Sequence, residues 1–128
     1  MKKTQQNLIT LFQTIDASTI TEEKLADKSK IITQLKYFSD YYVHVVNMEL
    51  FICENPKLEG ASSYLFKVKD EERRVLHNTC IKSCEELNRI GNKYGVGNIC
   101  NFKIENRHEV AIFVGKVINS IYWNEIDR

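Results

Sequence analysis

Two long stretches of this chain contain no residue that breaks a helix. Residues 1–55 and 61–90 have neither glycine nor proline. The one proline is Pro56, and the five glycines are Gly60, Gly91, Gly95, Gly97 and Gly115. Glycine costs about 1 kcal/mol inside a helix and proline about 3. Freedom from both over such lengths favours helices and leaves the punctuation at only a few points.

The apolar residues carry the helical period within those stretches. Leu8, Leu11, Phe12 and Ile15 share one face of a first helix, about Gln5 to Ile15, and Asp16-Ala17-Ser18 breaks it. Thr19 followed by Glu22 has capping-box form and predicts the start of a second helix there or a little later. That helix is the longest, running to about Glu54, with Ile31, Leu35, Phe38, Tyr42, Val45, Val46, Ile52 and Cys53 on one face. Asn55-Pro56 stops it, because the residue before proline avoids the α region. Pro56 to Ser63 then reads as an exposed loop. A third helix is predicted to start at a cap on Asp70, with Glu71 and Glu72 at its positive end. Its stripe is Leu76, Cys80, Leu87, Ile90 and Tyr94, and Gly95 sits where a left-handed cap belongs. A fourth begins at Asn106, with Glu109 three residues on, and buries Val110, Phe113, Val114, Val117, Ile118 and Ile121.

Two short segments alternate instead, Tyr64 to Val68 and Cys100 to Ile104. They could pair as a minor two-stranded β-ribbon; an extended or helical lead into the next helix is the simpler expectation. The fold class expected is all-α: one domain over residues 1–128, a bundle of about four helices. Each amphipathic stripe needs the others to cover it.

Composition narrows the function. A chain of 128 residues with 43% hydrophobic and 27% charged residues is ordinary for one globular domain. Its formal net charge of +1 lacks the basic surplus that phosphate neutralisation demands, so nucleic acid is not an expected partner. Lys67, Lys69, Arg73 and Arg74 make a local basic cluster, which Asp70, Glu71 and Glu72 cancel. No apolar run reaches the roughly 18 residues of a membrane span, and no signal-peptide core follows the N-terminus. A cytoplasmic protein outside membranes is expected, and the frequent Lys, Ile and Asn point to an AT-rich bacterial genome.

Chemistry-bearing residues are sparse. Glu49 falls near the centre of the second helix's apolar stripe, where an ionised carboxylate needs a partner. Arg73 lies in the stripe of the third helix, and His77, one turn on, lies on its flank with Asn88 and Cys84. A guanidinium forks onto a carboxylate, so Glu49, Arg73 and His77 form a candidate polar cluster in a pocket between the second and third helices. The blander alternatives are a solvated Glu49 at a fraying end or a purely structural ion pair. His77, Cys80 and Cys84 could face one way, with Cys53 or Cys100 as a fourth zinc ligand, yet no CxxC pair occurs. Four cysteines acting as small buried hydrophobes is the default, and no metal or cofactor is expected. The Glu-x-x-His pairs of a ferritin-like iron site are missing except at Glu105 and His108. No glycine-rich phosphate loop is present.

The stretch Arg73-Arg74-Val75-Leu76-His77-Asn78, then Ile81, then Leu87-Asn88-Arg89-Ile90, resembles a small bacterial family of helical proteins of unknown function. Arg107 and the helix after it fit the same pattern. The resemblance covers the C-terminal half. It implies a fold type and no activity, and it singles out Arg73, His77 and Asn88.

A small, neutral, helical chain without catalytic motifs is expected to be a non-enzymatic protein-interaction or regulatory module, of the immunity or antitoxin kind. Tyr41, Phe51, Tyr122 and Trp123 lie outside the stripes as candidate exposed aromatics, with a place in the core as the alternative. The alternative is a small-ligand binder or enzyme that uses the pocket at Glu49, Arg73 and His77. A third reading is a homodimer through the apolar end of the second helix near Met48, Leu50 and Phe51, where apolar residues cover more than one face.

Overall fold

A computed structural model describes residues 2–54, 61–104 and 106–119, with the side chains at 2, 51–53, 61–66 and 107 excepted. In chain order it contains α1 (Lys2–Asp16), α2 (Glu22–Glu54), α3 (Ala61–Lys93) and α4 (Arg107–Ile112). The last continues directly into a π-helical segment, Phe113–Ile118. No strand occurs among the described residues. The chain is an all-α bundle.

α2 is the central element: α1, α3, α4 and the π-helical segment all pack against it. This explains its wide apolar arc. Ile31, Leu35 and Phe38 are fully buried, and a second row at Tyr41 and Met48 is buried as well. A helix with neighbours on more than one side needs more than one stripe. α3 runs antiparallel to α2, because Asp27 meets Lys93, Tyr37 meets Cys80, and His44 meets Lys69. α1 contributes Leu8, Leu11, Phe12 and Ile15, as its spacing predicts.

The boundaries differ from the sequence reading in two places. α2 is capped by Thr21, whose hydroxyl accepts from the Lys24 N–H at 3.2 Å, and not by Thr19. Glu22 and Glu23 therefore occupy the positive first turn, and Lys28 ties this end to Asp16 of α1 at 2.9 Å. α3 already includes Ala61, so Asp70 is an interior residue and not a cap. Its carboxylate holds Arg73 at 3.0 Å and Arg74 at 3.4 Å. The alternating run Tyr64 to Val68 is part of this helix, so it forms no ribbon with Cys100 to Ile104. Five alternating residues between breakers far apart do not outweigh a continuous ladder of backbone hydrogen bonds. The predicted stop at Asn55-Pro56 lies outside the described residues.

The far end of α3 closes as the glycine pattern predicts. Gly95 adopts φ +77. Its N–H donates to Asn92 O at 3.1 Å, and the Val96 N–H donates to Gly91 O at 2.9 Å. Together these bonds satisfy carbonyls left open by the last turn. The chain then folds back along α3 and buries Ile99, Cys100 and Ile104. Asn106 caps α4 by accepting from Glu109 N at 3.2 Å. The Glu109 side chain accepts from Lys103 N, not from the cap residue itself.

One buried ionic contact locks this antiparallel pair. Asp27, only 3% exposed, accepts from Lys93 at 2.8 Å and from the Tyr94 hydroxyl at 2.6 Å. Burial alone would raise its pKa, but those two hydrogen bonds and the positive charges of Lys93 and Lys30 outweigh it, and the net shift is downward. A depressed carboxylate contributes stability above its unfolded pKa and loses it as pH falls through the folded value. In urea titrations at decreasing pH, the stability difference between wild type and Asp27→Asn is therefore expected to be largest near neutrality. It should shrink below the ordinary value of 3.8. A difference that stays constant across that range would rule out the charged form as the source.

Candidate functional site

A cleft of about 400 Å³ opens between α2 and α4. Tyr41, Tyr42, Val45, Val46 and Glu49 line it from α2, and His108, Val110 and Ala111 from α4. The α2 residues arise from its wide apolar arc: Tyr42, Val45, Val46 and Glu49 recur at the three- and four-residue spacing of one helix face. The opposite wall is set by the Asn106 cap, which starts α4 so that His108 sits at its exposed first turn. The π-helical segment then anchors that wall, burying Phe113, Val117 and Ile118. Phe113 meets Phe38 of α2 edge-on, with centroids 5.0 Å apart, and Phe102 packs on both rings.

The sequence expects a polar cluster of Glu49, Arg73 and His77 between α2 and α3; Glu49 also lines the cleft that faces α4. Tyr41 is the link between the two places. It lines the cleft, and its ring stacks on His77 of α3 with centroids 5.9 Å apart and planes 24° apart. Arg73 donates to Asp70 at 3.0 Å, and the Tyr41 hydroxyl is near enough to act on its guanidinium. The Asp70 bond holds the guanidinium above its ordinary pKa, more strongly than burial lowers it. Arg73 and His77 thus both meet Tyr41, and Glu49 lines the cleft together with it.

Tyr41 itself is 6% exposed, so of the two readings of this residue the core aromatic holds and the surface one does not. The signal for it was present: Phe38, Tyr41, Val45 and Met48 repeat at helical spacing as a second stripe. Met48 is also buried within the chain, while Leu50 remains exposed. The Phe51 side chain and residues 120–128, with Tyr122 and Trp123, lie outside the described residues.

Asn88 has a different role from the other three. Its Oδ1 accepts from the N–H groups of Ile99 and Cys100, both at 2.8 Å. It therefore holds the returning segment against α3. A side chain that satisfies two backbone donors in this way fixes the path of the chain.

A second, flatter surface lies along the α2–α3 pair. His44, Val68, Val75 and Leu76 form a shallow apolar groove with Glu71 and Glu72 along it. His44 Nε2 lies 2.9 Å from Lys69 O, as an Nε2–H donor, and Nδ1 faces the Glu72 carboxylate at 3.8 Å. Among the described residues no group of three or more His, Cys, Asp or Glu side chains is arranged to hold a metal ion. No described helix is long and apolar enough to cross a membrane. No protein-family model, curated protein or solved structure matches this chain.

Proposed function

We propose that the chain is a non-enzymatic binding module whose α2–α4 cleft takes a compact, largely apolar organic molecule bearing an amine. One observation carries this reading: a carboxylate, Glu49, lines a cleft otherwise walled by valines, an alanine and aromatic rings. Its volume of about 400 Å³ falls within the range of small-molecule sites, which pair apolar walls with a few polar groups. An ammonium group suits this lining twice over. It pairs with a carboxylate by charge-assisted hydrogen bonds, and it is attracted to tyrosine ring faces.

The test uses phenethylammonium as probe and its neutral alcohol analogue as control. Titration followed by methyl and amide NMR is expected to shift Val45, Val46, Val110 and Ala111 with the amine. Glu49→Gln, which keeps the shape and removes the charge, should weaken that binding about tenfold. Equal binding of amine and alcohol, or shifts away from the cleft, would overturn the reading.

A protein partner is the second reading, and the groove on α3 favours it. Val68 and Val75 are seven residues apart and 38% and 64% exposed. Glu71 and Glu72 beside them suit an amphipathic helix with basic residues, the helix-in-groove mode of recognition. A regulatory or immunity-type role would use this face. Light scattering with Val75→Glu separates a second copy from a different partner: an unchanged monomeric mass removes self-association.

A further inference from the structure

The α3 seam that Asn88 organises also gathers three thiols. Cys80 and Cys84 are one turn apart on α3, and Asn88 follows one turn later. Asn88 grips the backbone N–H of Cys100 at 2.8 Å, which brings residue 100 against the helix beside Cys84. The Cys84 and Cys100 side chains lie close enough to affect each other's protonation. None of the three is in a disulfide.

Their surroundings assign them different chemistry. Cys80 is fully buried, donates to Tyr37 O at 3.7 Å, and burial pushes its pKa up to about 12. Fully enclosed, Cys80 meets no reagent from solvent. The Cys100 thiol is held above its ordinary pKa, first by its neighbour Cys84 and then by burial, and it gives up its proton only as the resolving thiol. Cys84 is half-buried and lines a cleft of about 250 Å³ with Glu85, Asn88, Phe102 and Lys103. A small reagent in solvent reaches Cys84 and not the other two.

We propose that Cys84 and Cys100 are a disulfide-forming pair, with Cys84 attacking a hydroperoxide and Cys100 resolving the product. In the first step the Cys84 sulfur bonds to a peroxide oxygen and the O–O bond breaks. Cys84 becomes a sulfenic acid, and with hydrogen peroxide the leaving hydroxide takes up the thiol proton as water. In the second step the Cys100 sulfur attacks Cys84, the S–S bond forms and the S–O bond breaks. The second hydroxide leaves as water with the Cys100 proton. Two thiols and one hydrogen peroxide give one disulfide and two waters. Asn88 holds residue 100 one helical turn from Cys84, so a local adjustment brings the sulfurs to the roughly 2.05 Å of the bond.

The full chain, treated with hydrogen peroxide and then alkylated, is mapped by mass spectrometry without reduction. The expected product is a Cys84–Cys100 cross-linked peptide lacking two hydrogens, with Cys80 still a thiol. Cys80→Ser should keep the cross-link, Cys84→Ser should abolish it, and Cys100→Ser should leave a sulfenic acid on Cys84 that dimedone traps. Each variant is checked for folding by circular dichroism, and the wild-type map stands alone if one fails. A bridge involving Cys80 or Cys53 overturns the proposal. So does a wild-type protein in which Cys84 is oxidised while Cys100 stays a thiol, or one that does not react.

Discussion

Phe38→Ala is expected to lower the unfolding free energy by about 4 kcal/mol, measured by urea denaturation followed by circular dichroism. Phe38 is fully buried and stands where three parts of the chain meet. Its ring faces Phe113 of the π-helical segment at 5.0 Å and 82°, and Phe102 of the returning segment at 6.0 Å and 57°. Truncation removes the transfer free energy of a benzyl group and leaves a cavity. The aromatic pairs add about 0.5–1.5 kcal/mol beyond burial, through edge-to-face geometry. The surroundings cannot readily collapse, because α2 is held to α3 by Asp27 and Lys93, and the returning segment is held by Asn88. A domain of this size has roughly 5–15 kcal/mol in total, so the variant should be close to its limit. Phe102→Ala should cost less, since Phe102 is only partly buried. A loss below about 1 kcal/mol for Phe38→Ala would mean that the core does not close around this ring. The effect reaches the cleft, because Phe113 anchors the wall that carries His108, Val110 and Ala111.

The second large effect has a sign opposite to helix propensity. Gly91 lies in α3, and alanine in its place would favour an isolated helix by about 1 kcal/mol. In this fold, Gly91→Ala is expected to destabilise by roughly 2–3 kcal/mol, the cost of overpacking. A Cβ there would stand 2.3 Å from the Gly97 carbonyl oxygen and 2.9 Å from Ile99 Cγ1. The first neighbour is backbone, so no rotamer change relieves it. The returning chain is also tied to this spot, since Val96 and Gly97 both donate to Gly91 O, at 2.9 and 3.2 Å. Relief would pull Ile99 and Cys100 away from Asn88. Gly115→Ala is the control: a Cβ there meets nothing within 4 Å, so it should be neutral or slightly stabilising. Thermal melts should show a lowered midpoint for Gly91→Ala and an unchanged or slightly raised one for Gly115→Ala. A stabilised Gly91→Ala would contradict the close approach.

Much of the architecture was legible in the residues alone. Breaker-free stretches and three- and four-residue spacing determined that the chain is helical. They also determined that Leu8, Leu11, Phe12 and Ile15 are buried, that Gly95 ends α3, and that Asn106 starts α4. These are local matters, decided by backbone hydrogen bonds, caps and the amphipathic period. Local signals misled where two were in competition. Thr19 and Thr21 offer similar caps, and Asp70 looks like a cap although α3 already runs through it.

The site was legible only in part. Periodicity marks which residues turn inward, but not what they meet. Glu49 stood out as a carboxylate in an apolar stripe, yet only the packing of α4 on α2 put it in a cleft opposite His108. Arg73 and His77 both meet Tyr41, a residue that periodicity set outside the main stripe because α2 has more than one buried face. Asn88 and the contact of Cys84 with Cys100 depend on the returning segment, whose path along α3 no local pattern encodes. The sequence by itself determined the helices and most of their buried faces, because those follow from interactions a few residues apart. Which faces meet, and so where polar groups and thiols converge, was decided by packing between residues far apart in the chain.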